Sequence, residues 1–170
     1  KGWNEAVFAN SCQYYLNTYS NLTTPHVYTL CNASGKALKV VEDNADLKNQ
    51  RDALSLGTVE LISVNTADGI QLNGWMVKPH DFDATKKYPV LMYQYGGPGY
   101  QMVFNSYNNG FMSGLMWEQH LAGKGYIVVC VDGRGTGGRG SEFKRCTYLK
   151  VGDLESHDQV ETALWLSKLP

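Results

Sequence analysis

The stretch Tyr88-Pro89-Val90-Leu91-Met92-Tyr93-Gln94-Tyr95-Gly96-Gly97-Pro98-Gly99 decides the fold. Tyr88–Tyr95 is a nearly continuous apolar run, the pattern of a strand buried on both faces, and such strands belong to parallel sheets covered by helices. The Gly-Gly-Pro-Gly that follows is a loop at the strand's C-terminal end. Downstream, Gly114–Lys124 carries an apolar stripe (Leu115, Met116, Trp117, Leu121, Ala122) and predicts a helix ended by Gly123 and Gly125. Tyr126–Val131 is a second buried strand. A Gly/Arg-rich connection then leads to a helix from about Asp153 to Lys168, with Ser156-x-x-Gln159 as its candidate capping box. Upstream, Val59–Val64 and Gln71–Val77 form a hairpin closed by Thr66-Ala67-Asp68-Gly69. Strand, hairpin, strand, helix, strand, helix is an α/β order, with a parallel sheet expected from strand 88–95 onward.

Before residue 55 the style differs. Glu5–Phe8, Tyr14–Tyr19, Val27–Leu30 and Lys36–Glu42 are short β-rich runs, and Asp43–Asp52 is a polar connector. Three or four antiparallel strands in so short a stretch cannot bury a core of their own, so they fit the end of a larger all-β unit such as a propeller blade.

Composition excludes several classes. The 170 residues carry 15 Lys+Arg against 16 Asp+Glu, a net charge of −1, which leaves no electrostatic footprint for nucleic acid or an anionic membrane. No apolar run approaches the length of a membrane span. The chain opens at Lys1-Gly2-Trp3 without an initiator Met or a signal-peptide pattern, which suggests processing or cutting. Cys12, Cys31, Cys130 and Cys146 lack CxxC spacing, so buried free thiols are the plain reading. A cross-strand Cys12–Cys31 disulfide is the alternative in an oxidising compartment.

Three motif observations bear on chemistry. The loop after strand 88–95 occupies the place where α/β-hydrolases carry an oxyanion-hole donor, and a protonated phenol at that point, Tyr93 or Tyr95, can give its hydrogen to a tetrahedral oxyanion. The competing reading is a packed ring with a satisfied hydroxyl. The second motif, Asp132-Gly133-Arg134-Gly135-Thr136-Gly137-Gly138-Arg139-Gly140, contains a literal GxGxxG with Asp153 twenty residues beyond Gly133. Arg139, Gly140 and a polar stretch with Lys144 and Arg145 follow where a dinucleotide fold needs a helix. The better reading is a turn stitched by Arg134 to carbonyls or carboxylates, with no cofactor. The third observation is that GxSxG does not occur, so no serine triad can be assembled from these residues. His26, His80, His120 and His157 have no ligand spacing and imply no metal, and the sequons at Asn21 and Asn32 are common by chance.

Taken along its whole length, the chain resembles the dipeptidyl peptidase IV branch of the prolyl oligopeptidase family, in its bacterial form. The stretches that carry the resemblance are Lys1-Gly2-Trp3-Asn4-Glu5-Ala6-Val7-Phe8, Tyr14-Tyr15 through Thr24-Pro25, Val41-Glu42-Asp43-Asn44, Tyr88 to Pro98, Asp132-Gly133-Arg134-Gly135-Thr136, and Asp158-Gln159. The resemblance implies an α/β fold: residues 1–54 as the end of a β-propeller (last blade and connector), and residues 55–170 as the N-terminal portion of an α/β-hydrolase catalytic domain. It singles out Tyr95 as the oxyanion-hole phenol and reads the Asp-Gly-Arg-Gly segment as the family's turn after the fourth hydrolase strand. It also places the catalytic serine, aspartate and histidine, and the acidic residues that grip a substrate's N-terminus, outside this segment, so the chain alone is expected to lack peptidase activity.

The implied whole is a serine exopeptidase releasing Xaa-Pro or Xaa-Ala dipeptides from peptide N-termini. It would need no cofactor, form a homodimer and work outside the cytoplasm, in the periplasm or secreted. The alternatives on the same scaffold are a prolyl oligopeptidase, an acylaminoacyl peptidase, or a non-catalytic binding relative that has lost the serine.

Overall fold

The structure is a computed structural model that describes residues 1–110 and 113–169. The chain forms two compact units, one of residues 1–56 with 104–117 and one of residues 57–103 with 118–170.

In the first unit, β1 (Trp3–Phe8), β2 (Tyr14–Ser20), β3 (Val27–Asn32) and β4 (Ala37–Glu42) make an antiparallel sheet in sequence order. The connection from β2 to β3 is shaped by Asn21, whose Oδ1 accepts from the amides of Thr23 (2.9 Å) and Thr24 (2.7 Å), a side chain standing in for a backbone turn. The outer strands β1 and β4 are exposed throughout, while β2 and β3 are largely half-buried. The polar segment expected to be a plain connector holds a helix, α1 (Ala45–Asp52). It lacks an apolar stripe, and long-range polar contacts secure it instead: the Asn44 side-chain Nδ2 donates to the His26 carbonyl (2.6 Å) and Arg51 Nη1 to the Thr23 carbonyl (3.3 Å). The stretch 104–117 supplies what the strands lack. Tyr107 is buried, its amide donates to Ser20 Oγ (3.2 Å), its ring meets His26 edge-on at 6.0 Å, and Phe104 meets Trp3 edge-on at 5.2 Å.

In the second unit, β5 (Thr58–Asn65) and β6 (Gln71–Lys78) form the expected hairpin, in register from Thr58 opposite Lys78 to Asn65 opposite Gln71. The sheet order is β5-β6-β8-β7, with β7 (Val90–Tyr93) and β8 (Ile127–Asp132) parallel and β8 antiparallel to β6. The sheet is therefore mixed among the described residues, and β7 has half the expected length. Pro89 has no N–H to donate and contributes only its carbonyl, which accepts from Ile127 at 3.0 Å; beyond Tyr93 the chain turns away. Every residue of β8 from Val128 to Asp132 is buried, so this strand is covered on both faces. Val64, Leu72, Met76, Val129 and Val131 form the core on one face, joined by Phe143, Trp165, Leu166 and Leu169.

The helix after β7 is α2 (Met116–Ala122), and a short helix that sequence periodicity did not predict, α3 (Gly140–Arg145), follows the glycine-rich turn. The last helix, α4, spans Asp153–Leu166. Its N-terminus is not capped by Ser156 and Gln159: Glu155 Oε2 accepts from the Gly152 amide at 2.9 Å, while Ser156 lies inside the helix and its amide donates to the Gly152 carbonyl. The cysteines follow the plain reading of free thiols, though only two of them are buried. All four are free, Cys31 and Cys130 are buried, and Cys12 and Cys146 are exposed. Residue Tyr15, not Cys12, stands opposite Cys31 in the ladder, because Cys12 lies in the turn before β2 with φ of 55°.

Candidate active site at the strand ends

The C-terminal ends of β7 and β8 lie side by side, with Tyr93 paired to Cys130. Tyr95 and Asp132 each come two residues after that pair. Past Tyr95 the chain makes a turn in which the Tyr100 amide donates to the Gly97 carbonyl at 3.1 Å. Pro98 presets the second turn position, and Gly99 supplies the left-handed third one (φ 97°), the chemistry of a type II turn.

Tyr95 is half exposed (50%), and its ring meets Tyr100 edge-on with centroids 4.4 Å apart. The neighbouring Tyr100 hydroxyl, more than any desolvation, raises the Tyr95 pKa above its ordinary 10.0. Tyr95 is thus a phenol that keeps its proton at neutral pH and reaches solvent at the strand ends, which suits it to donate a hydrogen bond to a developing oxyanion. Tyr93, the other candidate, is half-buried at the end of β7.

The limb that returns from this turn is tied down at several points. Tyr100's carbonyl accepts from the Gly137 amide (2.6 Å), and the Met102 carbonyl accepts from the buried Trp75 indole (3.2 Å). Asp132, the buried last residue of β8, accepts from the Met102 amide through Oδ1 (2.9 Å) and the Val103 amide through Oδ2 (3.0 Å). Burial raises the Asp132 pKa, and those two amides pull in the opposite direction.

The glycine-rich segment forms the second wall and behaves as an Arg-stitched turn. Arg134 donates from Nε (3.0 Å) and Nη2 (2.6 Å) to Asp158 Oδ1, its amide donates to Asp158 Oδ2 (2.6 Å), and Nη1 donates to Asp68 Oδ2 (2.8 Å). Asp158 is fully buried, so this fork on one carboxylate is shielded from water. Gly135 has φ of 92°, and a Cβ there would come within 2.8 Å of Thr147 Oγ1. The glycines thus serve a tight turn in which Arg134 is already engaged by two carboxylates. Sequence reading anticipated Arg134 as a donor but not its partners, and it named Asp132 only as the start of the glycine-rich motif, without a role. Asp132's position directly after the valine-rich run was the available signal. Its ligands, two backbone amides, have no side-chain signature.

The histidines do not gather here. His157 Nε2 lies 3.7 Å from Asp68 Oδ1, His26 packs on Tyr107, and His120 is exposed. Among the described residues, no three His, Cys, Asp or Glu side chains are grouped to hold a metal, and no helix is long and apolar enough to cross a membrane.

Asp68 gives a pH test. Its pKa is lowered from 3.8, first by the Thr66 hydroxyl (2.5 Å) and then by Arg134. A carboxylate with a depressed folded pKa stabilises the fold above its unfolded value, and that contribution is lost as pH falls through the folded value. Asp68→Asn should therefore lower Tm at neutral pH, and the gap to wild type should close as pH falls through the depressed folded value of Asp68. A gap that stays constant across the acid range in thermal melts would refute this account.

Comparison with known proteins agrees with this geometry. The family described as "Prolyl oligopeptidase family" matches residues 113–170. A protein of Aspergillus fumigatus named "Probable dipeptidyl-aminopeptidase B" is 36% identical over 98% of this chain and 18% of its own length; one of the same name from Arthroderma otae is 33% identical over 96% and 17%. The crystal structure of Porphyromonas gingivalis dipeptidyl peptidase 4 superposes with a TM-score of 0.91 at 44% identity, covering 99% of this chain and 23% of that one. The chain thus spans less than a fifth of the length of these curated relatives. Fold and sequence thus agree along the chain in likening it to the prolyl oligopeptidase family, in its dipeptidyl peptidase IV branch.

Proposed function

We propose that this chain is the central part of a serine exopeptidase that releases Xaa-Pro or Xaa-Ala dipeptides from peptide N-termini. In this reading residues 1–54 end a β-propeller and residues 55–170 begin an α/β-hydrolase domain. The observation that carries the reading is the match to the Porphyromonas gingivalis dipeptidyl peptidase 4 structure, which extends over 99% of the chain at 44% identity.

The chemistry is acyl transfer. A serine contributed by sequence outside this segment, activated by a histidine, attacks the carbonyl that follows the penultimate residue. The carbonyl oxygen gains negative charge, and Tyr95 Oη and a backbone N–H donate to it. Collapse expels the shortened peptide's amine, and water then releases the dipeptide. This chain supplies the phenol, its protonation state and the fixed turn that presents it. Homodimerisation and an extracytoplasmic location belong to the same proposal and rest on the family likeness.

The test uses a polypeptide of the relatives' length that carries this segment, assayed on chromogenic Gly-Pro and Ala-Pro substrates with free and with blocked N-termini. Cleavage confined to free N-termini supports the proposal. Preference for blocked substrates indicates an oligopeptidase or acylaminoacyl peptidase, and the absence of cleavage a binding relative. The 170-residue chain alone should turn over neither substrate.

A further inference from the structure

The buried carboxylate of Asp132 takes no part in the chemistry just described, and it lies at the end of the strand next to the one that delivers Tyr95. We propose that Asp132 is a positioning residue for the Tyr95 phenol: by holding the Met102 and Val103 amides it fixes the returning limb of the strand-end turn, and with it Tyr100, the ring against which Tyr95 packs. This inference rests on the assignment of Tyr95 as an oxyanion donor.

Three observations carry it. The first is the geometry of the anchor. Each carboxylate oxygen takes one of two consecutive amides, at 2.9 and 3.0 Å, so the backbone of Met102 and Val103 is held at two points by one rigid plane. The Trp75 indole holds the Met102 carbonyl as well, leaving that peptide no freedom to rotate. The second is continuity. Tyr100 is two residues from Met102, its carbonyl is held by the Gly137 amide, and its ring lies 4.4 Å from that of Tyr95. The third is contrast. Tyr95 and Tyr100 are each about half exposed (50% and 51%), so bulk packing does not fix them, and the anchors beneath must. Asp132, by comparison, is 4% exposed. An oxyanion donor is useful only when it is aimed before the charge develops, and a misplacement of about 1 Å can cost on the order of a hundredfold.

Asp132→Asn keeps the shape but presents one oxygen and one NH₂ group, so one of the two amides loses its acceptor and faces another donor. In the relatives-length peptidase, kcat should fall by about ten- to a hundredfold with KM little changed. The decisive measurement is a double-mutant cycle with Tyr95→Phe. If Asp132 acts through the phenol, Asp132→Asn costs little once the phenol is gone, and the double variant should match Tyr95→Phe alone. Multiplicative losses, or an unchanged kcat in Asp132→Asn, overturn the proposal. Should Asp132→Asn fail to fold, Tyr100→Leu is the second variant. Its side chain is half exposed, it leaves the backbone anchors in place, and the same cycle must again be non-additive; additivity overturns the proposal. A Tyr95→Phe variant with wild-type kcat would instead overturn the underlying assignment of Tyr95, which separates the two failures.

Discussion

In the proposed relatives-length peptidase, Tyr95→Phe should lower kcat by about 10²–10³, the usual cost of removing one oxyanion-hole donor, about 2.7–4 kcal/mol. The substitution deletes one oxygen and nothing else. The ring stays free to pack on Tyr100, whose centroid is 4.4 Å away, and the half-exposed position leaves no cavity behind. Stability should therefore hardly change. The lost interaction matures only as the carbonyl oxygen becomes an anion, so kcat and kcat/KM should fall together while KM stays near its wild-type value. Steady-state kinetics beside a thermal melt separate this outcome from general damage. A wild-type kcat, or a loss confined to KM, rules out the phenol as the donor.

Arg134→Ala should destabilise the chain by about 3–5 kcal/mol, the cost of removing one partner from a buried ion pair. Asp158 is fully buried, and the guanidinium donates to it from both Nε and Nη2. Without that fork the carboxylate keeps the Arg134 amide but has no cation, in a place water does not reach. For a chain of this size the loss corresponds to a fall in Tm of about 6–20 °C. Arg134→Lys should recover only part of it, because a single ammonium cannot reproduce the planar fork and the second bond to Asp68 together. Circular-dichroism melts of the three proteins decide the matter, and a loss below about 1 kcal/mol for Arg134→Ala would contradict a buried pair of this kind.

The strands were legible because their signals are local. Alternation and β-branching mark β5 and β6, Asp68-Gly69 closes their hairpin with the Gly69 amide on the Thr66 carbonyl (3.0 Å), and the valine-rich run of β8 announces burial on both faces. What escaped depends on partners far along the chain. Helix α1 has no apolar stripe and is held by Arg51 reaching Thr23, and α3 offers Phe143 as its only large apolar residue. Arg134 was readable as a donor, but its acceptors lie 66 residues earlier and 24 later, a pairing that no spacing rule encodes. Tyr95 as the proposed donor was reached in two steps: the Gly-Pro turn narrowed the choice to two tyrosines, and the family resemblance chose between them. Asp132 was invisible as an anchor because it binds amides, which every residue but proline carries.

The membership of residues 104–117 in the first unit has a practical corollary. Neither unit is a contiguous stretch of sequence, so neither can be obtained by a single truncation of the gene. A polypeptide ending at residue 56 would lack the Tyr107 amide and ring that meet Ser20 and His26, and one starting at residue 57 would carry those groups with nothing to bind. A protease cut between Leu56 and Gly57 would likewise leave two polypeptides that share the first unit. Dissection of this protein therefore calls for replacing 104–117 with a short linker in one piece and grafting it onto the other.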